Sequence, residues 1–270
     1  MPSFGLMRIN SYRLACRGIS LRAAVVADFH DREKDSLLEA LRAAHPDVIL
    51  VPGDVVHDRD HTANGLAFLR EAVTVAPVFC SLGNHELRCG EDIGTRIAAT
   101  GAQVLDDRYV RFGGLVIGGL TSGFLGHEQG RTKKTPPPKT DWLKTFCAED
   151  GVRVLLSHHP EYYPDHLWDR SIDLVLSGHA HGGQWCFFGR GIFAPGQGLF
   201  PYYTAGAYDR RKRLGRTLRL SPEAPIMIVS RGLYNQVSIP RINNPEELLL
   251  LDFYDGEKQE KSCTADTENV

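Results

Sequence analysis

Long apolar runs are missing from this chain, and so is a cysteine framework. No stretch approaches the ~18 consecutive apolar residues of a membrane span. The opening residues, MPSFGLMRINSYRLACRGISLR, carry charges too often for the apolar region of a secretory signal. The six cysteines, Cys16, Cys80, Cys89, Cys147, Cys186 and Cys263, form no CxxC pair and no regular spacing. Several lie within apolar runs, so they read as reduced thiols in a reducing compartment. The expected location is therefore cytoplasmic, with no transmembrane segment. The net charge is only -2, which gives no global pointer to nucleic acid. Internal repeats and domain linkers are also missing. Residues 1–256 are expected to form one domain, and the polar tail 257–270 to be disordered.

What is present is an alternation of strand-like and helix-like stretches. Ile19–Ala27, Asp47–Val51, Pro77–Leu82, Val152–Leu156 and Asp173–Leu176 are apolar runs of strand length. Between the first two, Leu37, Leu38 and Leu41 recur at helical spacing, and Pro46 ends that helix. Asn64–Val73, Ile93–Thr100 and Asp141–Ala148 also read as helices. Gln103–Leu120 holds two short strands around Phe112-Gly113-Gly114, and Ile226–Ser230 and Leu248–Tyr254 are two more. Gly126–Thr140, with its KKTPPPK run, reads as a loop. This order implies an α/β fold with much parallel sheet.

Five of the strands end in polar clusters: Asp28 and His30, Asp54, Asn84 and His85, His158, and His179 and His181. The last pair is spaced i and i+2, so in an extended backbone both imidazoles would face one side. Taken alone, that pair reads equally as two surface histidines in a loop. Ligands of α/β sheets bind beyond the carboxyl ends of the strands, where all five clusters would converge. Gly53, Gly83 and Gly178 precede the polar residues, where the backbone must turn tightly or approach closely. Asp28, His30, Asp54, Asn84, His158, His179 and His181 make seven candidate ligands, against about four for one zinc-type site. Seven suits two ions sharing a carboxylate. Imidazole mixed with oxygen and no thiolate favours Mn, Fe, Zn or Co, with manganese preferred, over Ca.

The blocks Asp28-Phe29-His30, Gly53-Asp54, Gly83-Asn84-His85-Glu86, Ser157-His158 and Gly178-His179-Ala180-His181 resemble, in order, the calcineurin-like metallophosphoesterases. The likeness runs from about Ile19 to Phe253. GHAHGGQ, SRGL at Ser230–Leu233 and NNPEELLLLDF look like a bacterial subgroup that includes UDP-diacylglucosamine pyrophosphatase-like proteins, although Asp209–Pro225 is longer than that subgroup leads one to expect. The resemblance implies two packed mixed β-sheets flanked by helices, with the active site at the strand C-terminal ends. It implies one divalent metal ion on Asp28, His30 and His181, a second on Asn84, His158 and His179, Asp54 bridging them, and His85 as the catalytic histidine. His158 is preferred to its neighbour His159, which is expected to point the other way. Glu86 is expected to orient a histidine from behind.

The function implied is hydrolysis of a small-molecule phosphate mono- or diester, or a pyrophosphate, by in-line attack of a metal-bridging hydroxide. Two alternatives are a metal-dependent nuclease, with basic loops holding the nucleic-acid backbone, and a non-catalytic interaction module on the same fold. The module should lack ligands, and none is missing. His57, His61 and His127 read as solvated loop histidines. Arg210–Arg213 and Lys133, Lys134 and Lys139 read as solvated basic loops or as phosphate contacts. Trp185, Phe187, Phe188, Phe193, Tyr202 and Tyr203 follow the metal histidines and read either as core or as a substrate wall.

Overall fold

In the computed structural model, the described residues are 7–33, 35–124, 135–234 and 241–256. Two seven-stranded mixed sheets form the frame. The first runs, edge to edge, Thr217–Arg219, Arg8–Cys16, Glu247–Asp255, Leu21–Val25, Val48–Val51, Val78–Cys80 and Gln103–Val104. The second runs Lys212–Leu214, Gly206–Asp209, Ile226–Val229, Leu174–Ser177, Val152–Ser157, Leu115–Leu120 and Arg108–Phe112. The strands that carry the polar clusters are parallel to one another within each sheet, Leu21–Val25 to Val48–Val51 to Val78–Cys80, and Val152–Ser157 to Leu174–Ser177.

The two inner faces meet in one core. Ala23, Val25, Val48, Leu50 and Phe79 from the first sheet pack with Leu115, Ile117, Val154, Leu156, Leu174 and Leu176 from the second. Alternate residues of the same strands face outward. Ala24, Ile49 and Val51 pack under Leu37, Leu38 and Leu41 of the helix Asp35–Ala44 and under Phe68 and Leu69 of the helix Ala63–Ala72. On the far side, Val116, Leu155 and Val175 pack with Phe146, Tyr163 and Leu167. Strands buried on both faces need apolar residues at every position, which is why they stand out as unbroken runs.

Several expected elements differ in detail. Gln103–Leu120 holds three strands, Gln103–Val104, Arg108–Phe112 and Leu115–Leu120, around the expected turn, in which Gly113 and Gly114 both have positive φ. Arg8–Cys16 is a strand that the sequence reading passed over, paired in parallel along all nine residues with Glu247–Asp255. The basic run at 210–213 is not a free loop, because Arg210 and Arg211 form the turn of a hairpin between Gly206–Asp209 and Lys212–Leu214. Among the described residues, no helix is long and apolar enough to cross a membrane. His127, Lys133, Lys134, Cys263 and the tail 257–270 lie outside the described residues.

Candidate metal centre

All five polar clusters emerge from strand C-terminal ends, three from the first sheet and two from the second. The turns that carry them are backbone-strained. Asp28, His30, Asp54, His179 and His181 all have φ between 46° and 61°. Non-glycine residues rarely take this left-handed conformation, which costs on the order of 1–3 kcal/mol each and persists only where surrounding contacts hold it. The contacts are present. His30 N–H donates to the Asp54 carbonyl at 3.0 Å, and Gly178 N–H to the His158 carbonyl at 3.1 Å. The glycines leave room: a Cβ on Gly83 would stand 2.2 Å from Asp54 Oδ1, and one on Gly178 2.8 Å from Asp28 Oδ2.

The seven candidate ligands and His85 are all buried. Asp28, His30 and His181 offer ligand atoms within 4.8 Å of one another, and so do Asp54, His158 and His179. Asp54 Oδ2 lies between the groups, 3.0 Å from His158 Nε2 and 3.7 Å from His30 Nε2. Its other oxygen, Oδ1, accepts the His85 N–H at 2.9 Å. Both oxygens of Asp28 face the His179 N–H, at 2.9 and 3.1 Å, which ties a loop of one sheet to a loop of the other. His181 Nδ1 is 2.6 Å from the Tyr234 carbonyl, so that nitrogen carries the proton and Nε2 keeps the lone pair that could ligate a metal.

His179 and His181 reach the site by a different route from the one their spacing suggests. The backbone there is not extended: both residues are left-handed, Ala180 between them is helical, and the two rings join different groups.

Electrostatics follow from burial. Loss of water drives His30 and His179 well below the ordinary imidazole range and lowers His181 and His85 as well. Burial also opposes a proton on His158, but Asp54 beside it overcomes this and raises it to about 9. Burial works against ionised Asp54 in the same way, and His158 and His85 nevertheless hold its carboxyl well below the usual range. Even so, His30 Nδ1 and Nε2, Asn84 Oδ1 and His158 Nδ1 have no hydrogen-bond partner, and Asp54 Oδ2 and His158 Nε2 have only each other, in an ion pair of 3.0 Å. Each buried polar atom left this way costs on the order of 1–3 kcal/mol. Their convergence is the arrangement expected of ligands for cations, which accept lone pairs that no donor fills.

Glu86 corrects an expectation. It does not orient a histidine. Its carboxylate accepts four backbone N–H groups, from Asp54 and Gly83 at 2.8 Å, Val55 at 2.7 Å and Val56 at 3.2 Å. It therefore knots the Asp54 turn to the start of the helix Asn84–Arg88.

His159 has its Nε2 2.8 Å from Ser122 Oγ, but it does not simply point away: it also offers a ligand atom within 4.8 Å of those of Glu161 and His179. Nδ1 of His85 meets the His57 carbonyl, so His57 serves the site through its backbone. His61 stays exposed and pairs with Asp58 at 2.7 Å. Arg88 was missed: its Nη1 is 3.5 Å from His85 Nε2. The signal was present, since Arg88 follows His85 by three residues and one helical turn brings them together. Of the aromatics after His181, Tyr203 is core, while Phe187, Phe188, Phe193 and Tyr202 are exposed, so core packing does not account for them.

Two mixed sheets packed face to face, with buried Asp, His and Asn side chains gathered at the strand ends, define a class of metal-dependent hydrolase folds. The chain belongs to the calcineurin-like phosphoesterase family, whose model matches residues 21–183. An uncharacterised metallophosphoesterase of Campylobacter jejuni is 28% identical over 161 residues, which are 58% of this chain and 41% of the relative. One from Aquifex aeolicus is 28% identical over 230 residues, 79% of this chain and 80% of the relative. The phosphodiesterase YaeI of Escherichia coli is 29% identical over 153 residues, 52% of this chain and 50% of the relative. The chain thus spans about two fifths of the length of the Campylobacter jejuni relative. Among solved structures, the sulfate thiohydrolase SoxB of Thermus thermophilus aligns with a TM-score of 0.41 at 13% identity, covering 86% of this chain and 53% of that one. The family model defines the family, and none of these likenesses specifically shows the narrower UDP-diacylglucosamine pyrophosphatase-like subgroup.

Proposed function

We propose that the protein hydrolyses a small-molecule phosphate mono- or diester, or a pyrophosphate, at a centre of two divalent metal ions. The observation that carries this reading is the set of buried atoms without partners on His30, Asn84 and His158 beside the buried Asp54 carboxylate. Asp28, His30 and His181 would hold one ion, Asn84, His158 and His179 the other, and Asp54 would touch both through Oδ2. Bound there, the ions would neutralise phosphoryl oxygens and acidify a water molecule for in-line attack.

The chain's own groups supply the rest. Asp28 and Asp54 accept backbone N–H groups while presenting lone pairs inward, so their orientation is set before any ligand arrives. The His57 carbonyl takes the Nδ1 side of His85, which leaves Nε2 facing the centre, 4.0 Å from Asp54 Oδ2. Nε2 donates a proton only when the ring is an imidazolium, and an arriving phosphate anion favours that form. Arg88 stands beside it as a permanent positive charge for a phosphoryl oxygen.

Metal-stripped protein reloaded with Mn, Fe, Zn or Co tests the reading on p-nitrophenyl monoesters and diesters, nucleotide-sugar pyrophosphates and single-stranded DNA. Wild type is expected to bind two ions per chain and to turn over an ester. Asp54→Ala is expected to lose at least about 100-fold in activity, as loss of a metal-site group does. No turnover of any substrate with any metal overturns the proposal, and full activity in Asp54→Ala overturns the shared role of Asp54.

A further inference from the structure

The segment that follows His181 has a composition unlike the rest of the chain. From Trp185 to Leu214 it carries Phe187, Phe188, Phe193, Leu199, Phe200 and Tyr202 together with five basic residues, Arg190, Arg210, Arg211, Lys212 and Arg213. Asp209 is its single acidic residue.

The structure turns this composition into a surface. Cys186–Phe187 pairs with Arg190–Gly191, and Phe193–Ala194 with Gly198–Leu199, as two short successive hairpins. All six apolar residues are exposed, Phe188 fully and Phe200 to 74%. Phe200 N–H donates to the Ile192 carbonyl, so the second hairpin lies along the strand leaving the first. Phe187 and Phe188 lie at the turn of the first hairpin, and Phe193 is paired with Leu199 in the second. Apolar side chains scattered singly on a surface need no explanation, but a contiguous group of this size does.

The basic hairpin is fastened to the aromatic ones. Arg213 Nη1 donates to the Gly189 carbonyl at 2.9 Å, and the Arg211 guanidinium lies 4.9 Å from the centre of the Tyr202 ring. Backbone conformation makes the same point. Phe188 and Phe200 have φ of 50° and 53°, where glycine or asparagine would sit with less strain. A bulky ring therefore occupies the turn of the first hairpin at Phe188 and the bend after the second at Phe200, in conformations that do not favour it, and both rings are exposed.

We propose that this face seats the protein on an anionic lipid surface, with Phe188, Leu199 and Phe200 entering the interface and the basic hairpin meeting the headgroups. Aromatic tips collared by arginine and lysine match the two parts of such a surface, an apolar boundary below and negative charge above. Seating would also set the metal centre close to the interface. Gly183, one turn past His181, lies so near Gly191 that a Cβ on it would stand 2.4 Å from the Gly191 Cα. The proposal does not depend on the phosphoesterase reading, because its readout is binding.

Co-sedimentation of the full chain with vesicles tests it, using phosphatidylcholine alone and phosphatidylcholine mixed with phosphatidylglycerol. Binding is expected to the mixed vesicles, to weaken with salt, and to be slight on phosphatidylcholine. Phe188→Ser with Phe200→Ser is expected to lower the partition constant at least about tenfold. Arg211→Gln with Lys212→Gln is expected to lower it by a similar factor on mixed vesicles only. Thermal melting of each variant separates loss of binding from loss of fold. The idea is overturned by failure to bind mixed vesicles, by binding that folded Phe188→Ser/Phe200→Ser protein retains, by preference for single-stranded DNA over vesicles, or by a wild-type dimer that this pair of substitutions converts to monomer.

Discussion

Replacing Glu86 by glutamine keeps the shape of the side chain and changes what four backbone groups meet. In the wild type, one carboxylate oxygen accepts from Asp54 and Gly83 and the other from Val55 and Val56. In Glu86→Gln, one oxygen becomes an NH2 group, which is a donor facing two donors. Each buried N–H that loses its acceptor costs on the order of 1–3 kcal/mol. Part of this is offset, because burial and the neighbouring Asp54 push the Glu86 carboxyl up to about 7, so the wild type keeps a charge that burial disfavours. The expected net loss is about 3 kcal/mol, or a fall in Tm of about 6–12 °C for a domain of this size. The measurement is thermal and urea unfolding of metal-free protein at pH 8, where the carboxylate is ionised. Removing the metal keeps altered metal affinity out of the comparison. Metal titration of the same variant is expected to show weaker binding by about 10–100-fold, since the Asp54 turn has lost its anchor. A Glu86→Gln protein within about 0.5 kcal/mol of wild type would falsify the view that this carboxylate holds the turn.

Three further predictions follow from the same geometry. Gly83→Ala places a Cβ 2.2 Å from Asp54 Oδ1, so it is expected to displace that carboxylate and to abolish binding of at least one metal ion, read by metal content after dialysis. Arg88→Met removes a positive charge from beside His85, so KM should rise about tenfold with metal content unchanged, and the pKa assigned to His85 in the pH–rate profile should move up. In metal-free protein, His30, His179 and His181 are held neutral by burial, so the unfolded chain takes up protons below about pH 6.5 that the folded one refuses. Stability should therefore fall as pH drops from about 6.5, by up to about 1.4 kcal/mol per pH unit for each histidine. His158 acts in the opposite sense, because its contribution is complete below about pH 6.5 and is lost as pH rises through about 9. Urea midpoints from acid to alkaline pH check both limbs, and a flat profile would refute them.

The strands that carry the candidate ligands were legible because the fold buries them on both faces. Val48–Val51 cannot alternate polar and apolar residues when one side meets the second sheet and the other meets helices, so it reads as a block that breaks at Gly53-Asp54. The strand Arg8–Cys16 obeys a different rule. Tyr12, Leu14 and Cys16 enter the core while Arg13 points outward, a period-two pattern lying in the stretch that was weighed only as a possible export signal. Backbone-mediated roles left no trace at the level of residue type. Nothing in the tetrapeptide Gly83-Asn84-His85-Glu86 says that the glutamate serves amides about thirty positions earlier. The same limit applies to His179 and His181. Spacing predicts a shared side only if the backbone is extended, and φ at those two positions is set by contacts with Asp28 and Tyr234 that are remote in sequence.

Three carboxylates give these separate facts a common cause. Asp28 receives the His179 N–H, Asp54 receives the His85 N–H, and Glu86 receives the N–H of Asp54 and its neighbours. Three of the five loops at strand ends are thus held by an acid from a different loop, and Asp28 spans from one sheet to the other. A left-handed turn at a single histidine would relax if nothing opposed it. Here five left-handed residues lie in three loops, and the N–H groups of two of them, Asp54 and His179, meet charged acceptors, which form stronger hydrogen bonds than neutral ones. Asp28, Asp54 and His181 are therefore oriented by protein–protein bonds before a cation is bound, and the atoms without partners include ring nitrogens of His30 and Oδ1 of Asn84, which the proposed centre would use.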